Sequence, residues 1–150
     1  MNLQEELKAL KERIAELEEQ AKKEDEFPQV GDIYWRIDDK GSVDNSLYND
    51  YYTDNHRQAI GNFFQTKEQA EFAVEKLKVE AELRKFSQPF EYGKRNTEFY
   101  YGHGSNEIMY HSAGTTQIQG TIHFESEEKA QQAIESVGID RIKKYIFGVE

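Results

Sequence analysis

The residues best suited to chemistry cluster in a polar, tyrosine-rich segment, residues 44–55. Tyrosine presents a large, rigid contact area and asparagine offers adaptable hydrogen bonds, and this composition is favoured in binding surfaces. Tryptophan and arginine lie nearby in sequence, so the group is suited to stacking on a base and holding a phosphate. An ordered loop whose tyrosines cover a sheet would have the same composition, and both interpretations stay open. The candidate ligand-binding residues are Trp35, Arg36, Tyr48, Tyr51, Tyr52, Arg57, Asn62, Tyr101 and His103.

The residue inventory predicts no catalytic, metal or cofactor site. The chain has no cysteine and four histidines, and no two histidines have the i, i+4 spacing of a helical metal site. The histidines are expected to be exposed, although His103 and His111 are close enough to meet across a hairpin. No serine lies in a nucleophile-elbow motif. The glycines of residues 102–104 separate two strand-like runs, which predicts a hairpin turn, because a phosphate-binding loop opens a helix. We therefore expect a non-enzymatic protein.

Acidic residues outnumber basic ones, and the formal net charge is −10. This balance argues against a nucleic-acid partner, whose phosphates attract clustered Lys and Arg. It is compatible with simple solubility or with contact to a basic protein surface. No apolar run approaches the roughly 18 residues that cross a bilayer, and the charged beginning of the chain lacks the apolar core of a secretory signal. The expectation is a cytoplasmic protein without a membrane partner.

Residues 3–24 have apolar side chains at gaps of 4, 3, 4, 3 and 4, the 3.5-residue period of a coiled-coil seam. In a parallel pair, this register places Glu6 opposite Lys11 of the second copy and Arg13 opposite its Glu18. Three heptads are marginal as an isolated helix, so the seam predicts self-association. A dimer is the first choice, and a trimer or tetramer stays open. The alternative is a lone amphipathic helix folded back on its own domain. The seam residues are Leu3, Leu7, Leu10, Ile14, Leu17 and Ala21.

Two segments, which begin at Phe64 and Phe124, match each other without gaps. In each, a capping Thr or Ser follows the phenylalanine and a helix with alanines three residues apart comes next. Thr66 and Gln69 fit a capping box, whereas Ser126 has only its own half of one. The match predicts an α+β fold, in which a coiled-coil helix (1–27) precedes one domain (28–150). That domain would consist of two duplicated β-β-α units, residues 31–87 and 90–150, which share an antiparallel sheet and are too small to fold separately.

Hydrophobic period and turn chemistry predict the individual elements. Strands are expected at residues 33–37, from 42 onward, and at 61–64, 97–101, 107–111 and 117–124, with a strand or turn at 141–147. Helices are expected at 67–86 and 127–136, with a short helical turn at 56–60 and a loop at 44–55. The 67–86 helix has two apolar stripes, which indicates two packing partners, the sheet and a second subunit.

Short patterns distributed over the chain after Val30 resemble a group of small, largely uncharacterised proteins encoded by phages and prophages of Gram-positive bacteria. The resemblance transfers no catalytic motif. The patterns are Gly31-Asp32 with Tyr34-Trp35, Ile37-Asp38, Gly41, Arg57, Ile60-Gly61-Asn62, Phe64, Thr66-Lys67-Glu68 with Ala70-Glu71, Phe124 with Ser126-Glu127-Glu128-Lys129-Ala130, Arg141-Ile142-Lys143-Lys144-Tyr145, and Phe147-Gly148-Val149.

This resemblance implies a phage protein that acts in the cytoplasm of a bacterial host, and small phage proteins without enzymatic motifs often counter host defence. One expectation is that the chain binds and sequesters a small nucleotide-like immune signal in an Arg-lined pocket. A second is that an acidic face of the oligomer blocks a basic host defence protein or nuclease, with binding that weakens steeply as salt rises. A third is a structural phage accessory protein.

Overall fold

The computed structural model describes residues 2–150 and has an α+β fold, as the sequence predicts. A long N-terminal helix precedes two antiparallel hairpins, each followed by helices. Within residues 2–150, no helix combines the length and apolarity needed to cross a membrane. The helices are α1 (Leu3–Asp25), α2 (Tyr52–Ala59), α3 (Lys67–Arg84), α4 (Glu127–Val137) and α5 (Ile139–Tyr145), and the strands are β1 (Ile33–Ile37), β2 (Val43–Leu47), β3 (Asn96–Gly102) and β4 (Glu107–Ala113).

The chain divides into two compact units, and the division falls inside α3. Unit 1 extends to Ala70, and unit 2 comprises Glu71–Glu150. This division differs from the repeat bounds predicted from the sequence, because α3 begins at a cap in unit 1 and buries Val79 and Leu83 in the core of unit 2. The assignment of residues 28–150 to one domain stays a prediction.

Helix α1 is confirmed and begins with a complete capping box. The Asn2 side chain accepts a hydrogen bond from the Glu5 N–H at 2.9 Å, and the Glu5 carboxylate accepts one from the Asn2 N–H at 3.3 Å. No residue of α1 is buried, and the large seam side chains are exposed by 47% at Leu17 to 82% at Leu3. The part of the predicted domain that lies in unit 1 does not cover the seam, so α1 is not folded back on the first hairpin.

In unit 1, β1 and β2 form the predicted hairpin, with Ile33 opposite Leu47. The carboxylate of Asp38 holds the turn by accepting two backbone N–H groups at 2.9 Å each. One face of the hairpin buries Tyr34 completely, and its ring stacks on Phe63 with 4.1 Å between the centroids. A single tyrosine thus forms the centre of the core of unit 1.

A short return segment pairs with β1 on the edge that β2 does not occupy. Trp35 and Phe64 exchange two backbone hydrogen bonds of 2.8 Å. The side chain of Asn62 accepts from the N–H of Ile37 at 2.6 Å and donates to its C=O at 2.7 Å. The strand predicted at residues 61–64 is therefore wrong. Gly61 turns the chain with a φ of +78°, and an amide side chain takes the backbone groups that a further ladder pair would use.

In unit 2, β3 and β4 form the second predicted hairpin, and Thr97 on β3 exchanges backbone hydrogen bonds of 2.9 and 2.7 Å with Phe124. The core lies between this hairpin and the helices, with side chains from α3, α4 and α5. Helix α4 ends at Val137, one residue later than predicted, and Gly138 follows with a φ of +104° that favours glycine. The buried core residues are Val79, Leu83, Phe124, Ala130, Ala133, Ile134, Val137 and Ile142.

The sequence repeat has a counterpart in both units. In each, a phenylalanine bridges to the first strand of a hairpin, and a capped helix follows. The side chain of Thr66 accepts from the Gln69 N–H at 3.2 Å, and the Gln69 side chain accepts from the Thr66 N–H at 3.3 Å. Ser126 only accepts, from the Lys129 N–H at 3.2 Å. The predicted difference between the two caps is confirmed.

The two hairpins are separate two-stranded sheets, so the expected shared antiparallel sheet is wrong. The reason lies in how each first strand uses its second edge. On β1 that edge is bridged by Phe64, and on β3 it is bridged by Phe124. Each unit therefore uses that second edge to pair with its own return segment.

Other segments also differ from the expectation. Residues 44–55 are not one loop, because 44–47 belong to β2 and 52–55 begin α2. Residues 117–124 do not form a strand, since Gly120 has a φ of +72° and only His123 and Phe124 make isolated bridges. Residues 141–147 lie mainly in α5, where the spacing of Ile139, Ile142 and Ile146 is helical.

Helix α3 ends two residues earlier than predicted, at Arg84. Both of its apolar stripes contribute buried side chains, but each also leaves one large side chain at the surface. Leu77 is 55% exposed, and Phe72 is 40% exposed while its ring contacts Tyr145 at 5.0 Å. The second partner predicted for this helix stays a prediction.

Candidate functional site

The nine candidate ligand-binding residues are divided between the units. Seven lie in unit 1, whereas Tyr101 and His103 lie in unit 2. In unit 1, Arg57 belongs to a buried polar network. The Tyr34 hydroxyl donates to Asp54 Oδ1 at 2.6 Å and accepts from Arg57 Nη1 at 2.8 Å. Sequence reasoning missed Tyr34 and Asp54 as a pair, because an aspartate in a polar segment has no local signal of burial.

Asp54 connects three parts of unit 1. It is 5% exposed, and its Oδ2 accepts the backbone N–H groups of Asn49 at 3.0 Å and Tyr51 at 3.2 Å. The hydrogen bond from Tyr34, the two backbone hydrogen bonds and the charge of Arg57 hold the pKa of Asp54 below its ordinary value, although burial acts in the opposite direction. The ionised carboxylate therefore links β1, the segment after β2, and α2.

Both candidate arginines of unit 1 already have partners. Arg36 Nε donates to Ser46 Oγ at 3.0 Å, and its guanidinium lies 3.5 Å from the carboxylate of Asp44. Arg57 Nη1 also approaches Ser46 Oγ, at 3.5 Å. Asp44 and the nearby Asp54 offset the positive charge that a bound anion would require. Arg36 and Arg57 both approach Ser46, but carboxylates and hydroxyls of unit 1 already pair with their guanidinium groups.

Trp35, Asn62 and Tyr48 support the hairpin. The Lys67 Nζ lies 5.9 Å from the centroid of the half-buried Trp35 ring. The side-chain amide of Asn62 uses its oxygen and its NH₂ group for hydrogen bonds to the backbone of Ile37 in β1. The Tyr48 ring meets Phe63 edge-on at 6.0 Å. At these three positions, the geometry matches the interpretation in which the aromatic segment covers the sheet.

Tyr51 and Tyr52 are the residues of this set that unit 1 leaves most exposed, by 67% and 78%. The Tyr52 ring packs against the His56 ring with 3.9 Å between their centroids and a tilt of 33°, which orders the pair on the surface of α2. Their aromatic faces are available to a partner. In unit 2, Tyr101 lies 4.8 Å from the ring of His103, at the turn between β3 and β4.

Unit 2 contains a cleft that the sequence did not predict. Its volume is about 560 Å³, and it lies between the end of α3 with residues 87–90 and the segment 117–123. A guanidinium, two amides, two hydroxyls, an imidazole and a phenyl ring in one concavity are suited to a small polar or anionic molecule. The residues that define its chemistry are Arg84, Ser87, Gln88, Phe90, Gln117 and His123.

A smaller apolar recess of about 190 Å³ adjoins this cleft. The two share part of their lining, including Arg84 and Ile122. The recess is otherwise mainly apolar, with Phe99 and Phe147 among its walls, while the carboxylate of Glu80 lies 3.7 Å from the Arg84 guanidinium. Cleft and recess together place one cation beside both polar and aromatic surface.

A buried carboxylate lies behind the His123 side of the cleft. Glu98 is 6% exposed, with Oε1 3.0 Å from His111 Nδ1 and Oε2 3.6 Å from His123 Nε2. His123 is 5% exposed, and its ring packs edge-on against Phe90 at 5.3 Å. The expectation of exposed histidines is wrong for His123. Within residues 2–150, no three His, Cys, Asp or Glu side chains are arranged to hold a metal ion.

The cleft has no local signature in the sequence. Arg84 ends a helix, and His123 belongs to a segment with the alternation of a strand. A backbone hydrogen bond of 2.9 Å from the Gln88 N–H to the His123 carbonyl brings their segments together. No spacing rule relates these positions, so only the folded chain reveals the site.

A second hollow, in unit 1, has the opposite charge. It has a volume of about 370 Å³ and includes Glu24, Asp25, Glu26 and Asp32 in its lining. Glu24, Asp25 and Glu26 are consecutive at the end of α1, and Asp32 directly precedes β1. The negative charge is therefore concentrated in one place. Such a surface is suited to a basic group and unsuited to a phosphate.

No family model, curated protein or solved structure matches this chain. The chemistry available to it is that of the groups described above. Around the cleft these are donors, acceptors, one guanidinium and aromatic rings, groups that are suited to a small polar molecule. Along α1 they are exposed apolar side chains on one stripe, a pattern that is suited to packing against another apolar surface.

Proposed function

We propose that this protein is a self-associating, non-enzymatic protein that sequesters a small nucleotide-like immune signal, and that it serves a phage as a counter-defence protein in the cytoplasm of a bacterial host. The observation that carries the proposal is the cleft of unit 2. In that cleft the Arg84 guanidinium is suited to pairing with a phosphate, and the Phe90 ring with the amides of Gln88 and Gln117 is suited to contacting a sugar or base.

Self-association through α1 places several such clefts in one assembly. The seam side chains are exposed along the whole helix, and full burial of one Leu or Ile stabilises by about 1.5–3 kcal/mol. Charge complementarity selects a second copy of α1 as the partner, because Glu6 faces Lys11 and Arg13 faces Glu18 in a parallel pair.

Charge in the seam tests this association. The double variant Leu10→Asp, Ile14→Asp places unpaired carboxylates in the interface, which are costly to desolvate. The matched control Lys8→Asp, Glu12→Asp adds the same side chains on the outer face of α1. Light scattering at micromolar concentration should give a dimer for the wild type and the control, and a monomer for the seam variant. An assembly of unchanged mass in the seam variant would move the interface elsewhere.

Mass spectrometry tests the ligand. The protein is incubated with extract from defence-activated cells, purified and denatured, and the small molecules released are identified. An intact nucleotide supports sequestration. A nucleotide converted to a product contradicts the non-enzymatic part of the proposal, and a protein that retains no nucleotide contradicts sequestration.

A second candidate function is blockade of a basic host defence protein or nuclease. The acidic hollow at the end of α1 favours it, because Glu24, Asp25, Glu26 and Asp32 form a negative surface in one place. Pull-down from the same extract at low and high salt separates the two. A host protein whose retention falls steeply as salt rises supports blockade. Sequestration in the cleft predicts instead that nucleotide binding depends only weakly on salt. Glu24→Gln with Asp25→Asn should then weaken capture of the host protein and leave nucleotide recovery unchanged.

A further inference from the structure

We infer that the ligand of this cleft is a nucleotide with a single phosphate group, whose base enters the recess and whose phosphate pairs with Arg84. The inference rests on the proposed function for the class of ligand, and it adds which member of that class fits. It follows from the charge around the cleft and from the lining of the recess.

The charge limits the number of phosphates. Among the described residues that line the cleft and the recess, Arg84 supplies the one guanidinium or ammonium group. Its side chain is 58% exposed, so it can turn toward a ligand, and the Glu80 carboxylate lies 3.7 Å away. A planar guanidinium binds one phosphate through two parallel hydrogen bonds. A second or third phosphate would lie beside Glu80 without a cation, in a chain whose net charge is −10.

The lining of the recess indicates where the base lies. Phe99 and Phe147 meet at an interplanar angle of 67° with 6.0 Å between their centroids, and Ile122 and Ile146 complete an apolar wall. A volume of about 190 Å³ suits one ring system and leaves the sugar outside it. Bases stack on aromatic side chains with little dependence on their identity. The larger cleft then holds the sugar and phosphate, with Gln88 and Gln117 as hydrogen-bond partners.

Calorimetry on the full chain tests the inference with four defined probes in metal-free buffer. These are adenosine monophosphate, adenosine triphosphate, adenosine and ribose 5-phosphate. The monophosphate should bind, and adenosine and ribose 5-phosphate should each bind at least about tenfold more weakly, since each lacks one of the two contacts. The triphosphate should bind no more tightly than the monophosphate. A triphosphate that binds tenfold more tightly overturns the inference, and so does a monophosphate that shows no binding at millimolar concentration.

Two variants locate the phosphate. Arg84→Gln should weaken binding of the monophosphate about tenfold or more and leave adenosine unaffected, because only the phosphate contact is lost. Lys85→Gln removes the same charge from the next residue, which is not part of the lining, and should leave both affinities unchanged. Equal effects of the two substitutions would mean that the phosphate does not contact Arg84. Adenosine binding and circular dichroism report whether each variant is folded.

The outcomes separate this inference from the proposed function. If the extract leaves no nucleotide on the protein while the purified chain binds the monophosphate as expected, sequestration fails and the assignment of the cleft stands. If the extract yields a nucleotide with several phosphates, sequestration stands and the single-phosphate assignment fails.

Discussion

Replacing Asp54 by Asn removes the charge at the centre of unit 1 while nearly preserving the shape of the side chain. The carboxylate receives three hydrogen bonds, from the Tyr34 hydroxyl at 2.6 Å and from the backbone N–H groups of Asn49 at 3.0 Å and Tyr51 at 3.2 Å. The Tyr34 hydroxyl donates to Oδ1 and the two backbone N–H groups donate to Oδ2, so both carboxylate oxygens act as acceptors. An amide offers one oxygen, so its NH₂ group must face at least one of these donors.

The least costly arrangement keeps the amide oxygen on the two backbone N–H groups and points the NH₂ group at the Tyr34 hydroxyl. The NH₂ group cannot accept a hydrogen bond, so the Tyr34 O–H loses its acceptor in a buried site. The Tyr34 oxygen also already accepts from Arg57 at 2.8 Å. A hydrogen bond to a charged group contributes about 1.5–3 kcal/mol. With the other two bonds weakened from charged to neutral, we expect Asp54→Asn to lower the free energy of unfolding by about 2–4 kcal/mol.

Fluorescence of Trp35 during urea unfolding measures this cost in unit 1, because Trp35 is the single tryptophan of the chain and lies in β1. The matched control is Asp50→Asn, an exposed carboxylate that receives hydrogen bonds from Tyr48 at 3.2 Å and Asn55 at 3.1 Å. The control should change the free energy of unfolding by less than about 0.5 kcal/mol. If the two substitutions cost the same, the buried network does not hold unit 1 together and the reasoning is refuted.

The difference between wild type and Asp54→Asn should also depend on pH. The pKa of Asp54 is lowered in the folded protein, mainly by the Tyr34 hydrogen bond, so the folded state favours the ionised form. This contribution to stability is complete above the unfolded pKa, about 3.9, and is lost as pH falls below that value through the folded pKa. The two proteins should therefore converge in strong acid, and a difference that stays constant below pH 3.9 would contradict the assignment.

Three further substitutions test single contacts by urea unfolding. Asn62→Ala removes both hydrogen bonds to the backbone of β1 and should cost about 1–3 kcal/mol; a cost near zero would mean that water replaces the amide. Glu82→Gln breaks the two-bond pair with Arg141, at 2.7 and 3.3 Å, but both side chains are more than one third exposed, so the cost should stay below about 1 kcal/mol. Because Arg141 lowers the pKa of Glu82, this small difference should be present at neutral pH and fade below about pH 4.3. Thr66→Ala removes the cap of α3 and should cost about 0.5–2 kcal/mol, whereas Thr66→Ser should restore most of the stability.

Local interactions explain what sequence reasoning predicted correctly. The caps at Thr66 and Ser126, the turn at Asp38 and the start of helix α1 all depend on partners within about four residues. Each can therefore be recognised in a short window of sequence. The same holds for the hairpins, because a turn between two strand-like runs specifies its own pairing.

Predictions failed where pairing beyond one hairpin decides the structure. Residues 61–64 and 117–124 have the composition of strands, yet each contributes only isolated bridges, since Gly61 and Gly120 turn the backbone beside them. The apolar spacing of residues 139–146 is too short to distinguish a helical turn from a strand. The structure has a helix there, which buries Ile142 in the core of unit 2.

The sequence by itself determined that the chain begins with a helix bearing an apolar seam, and that two capped repeats with hairpins follow it. These features arise from hydrogen bonds and side-chain spacing inside short segments. Only the tertiary structure decided that Asp54 is buried under Tyr34, that His123 lies against Glu98, and that Arg84 faces the same cleft as His123. Burial and cavity shape depend on which distant segments meet, and the backbone pairing that brings those segments together leaves no spacing signal in the sequence.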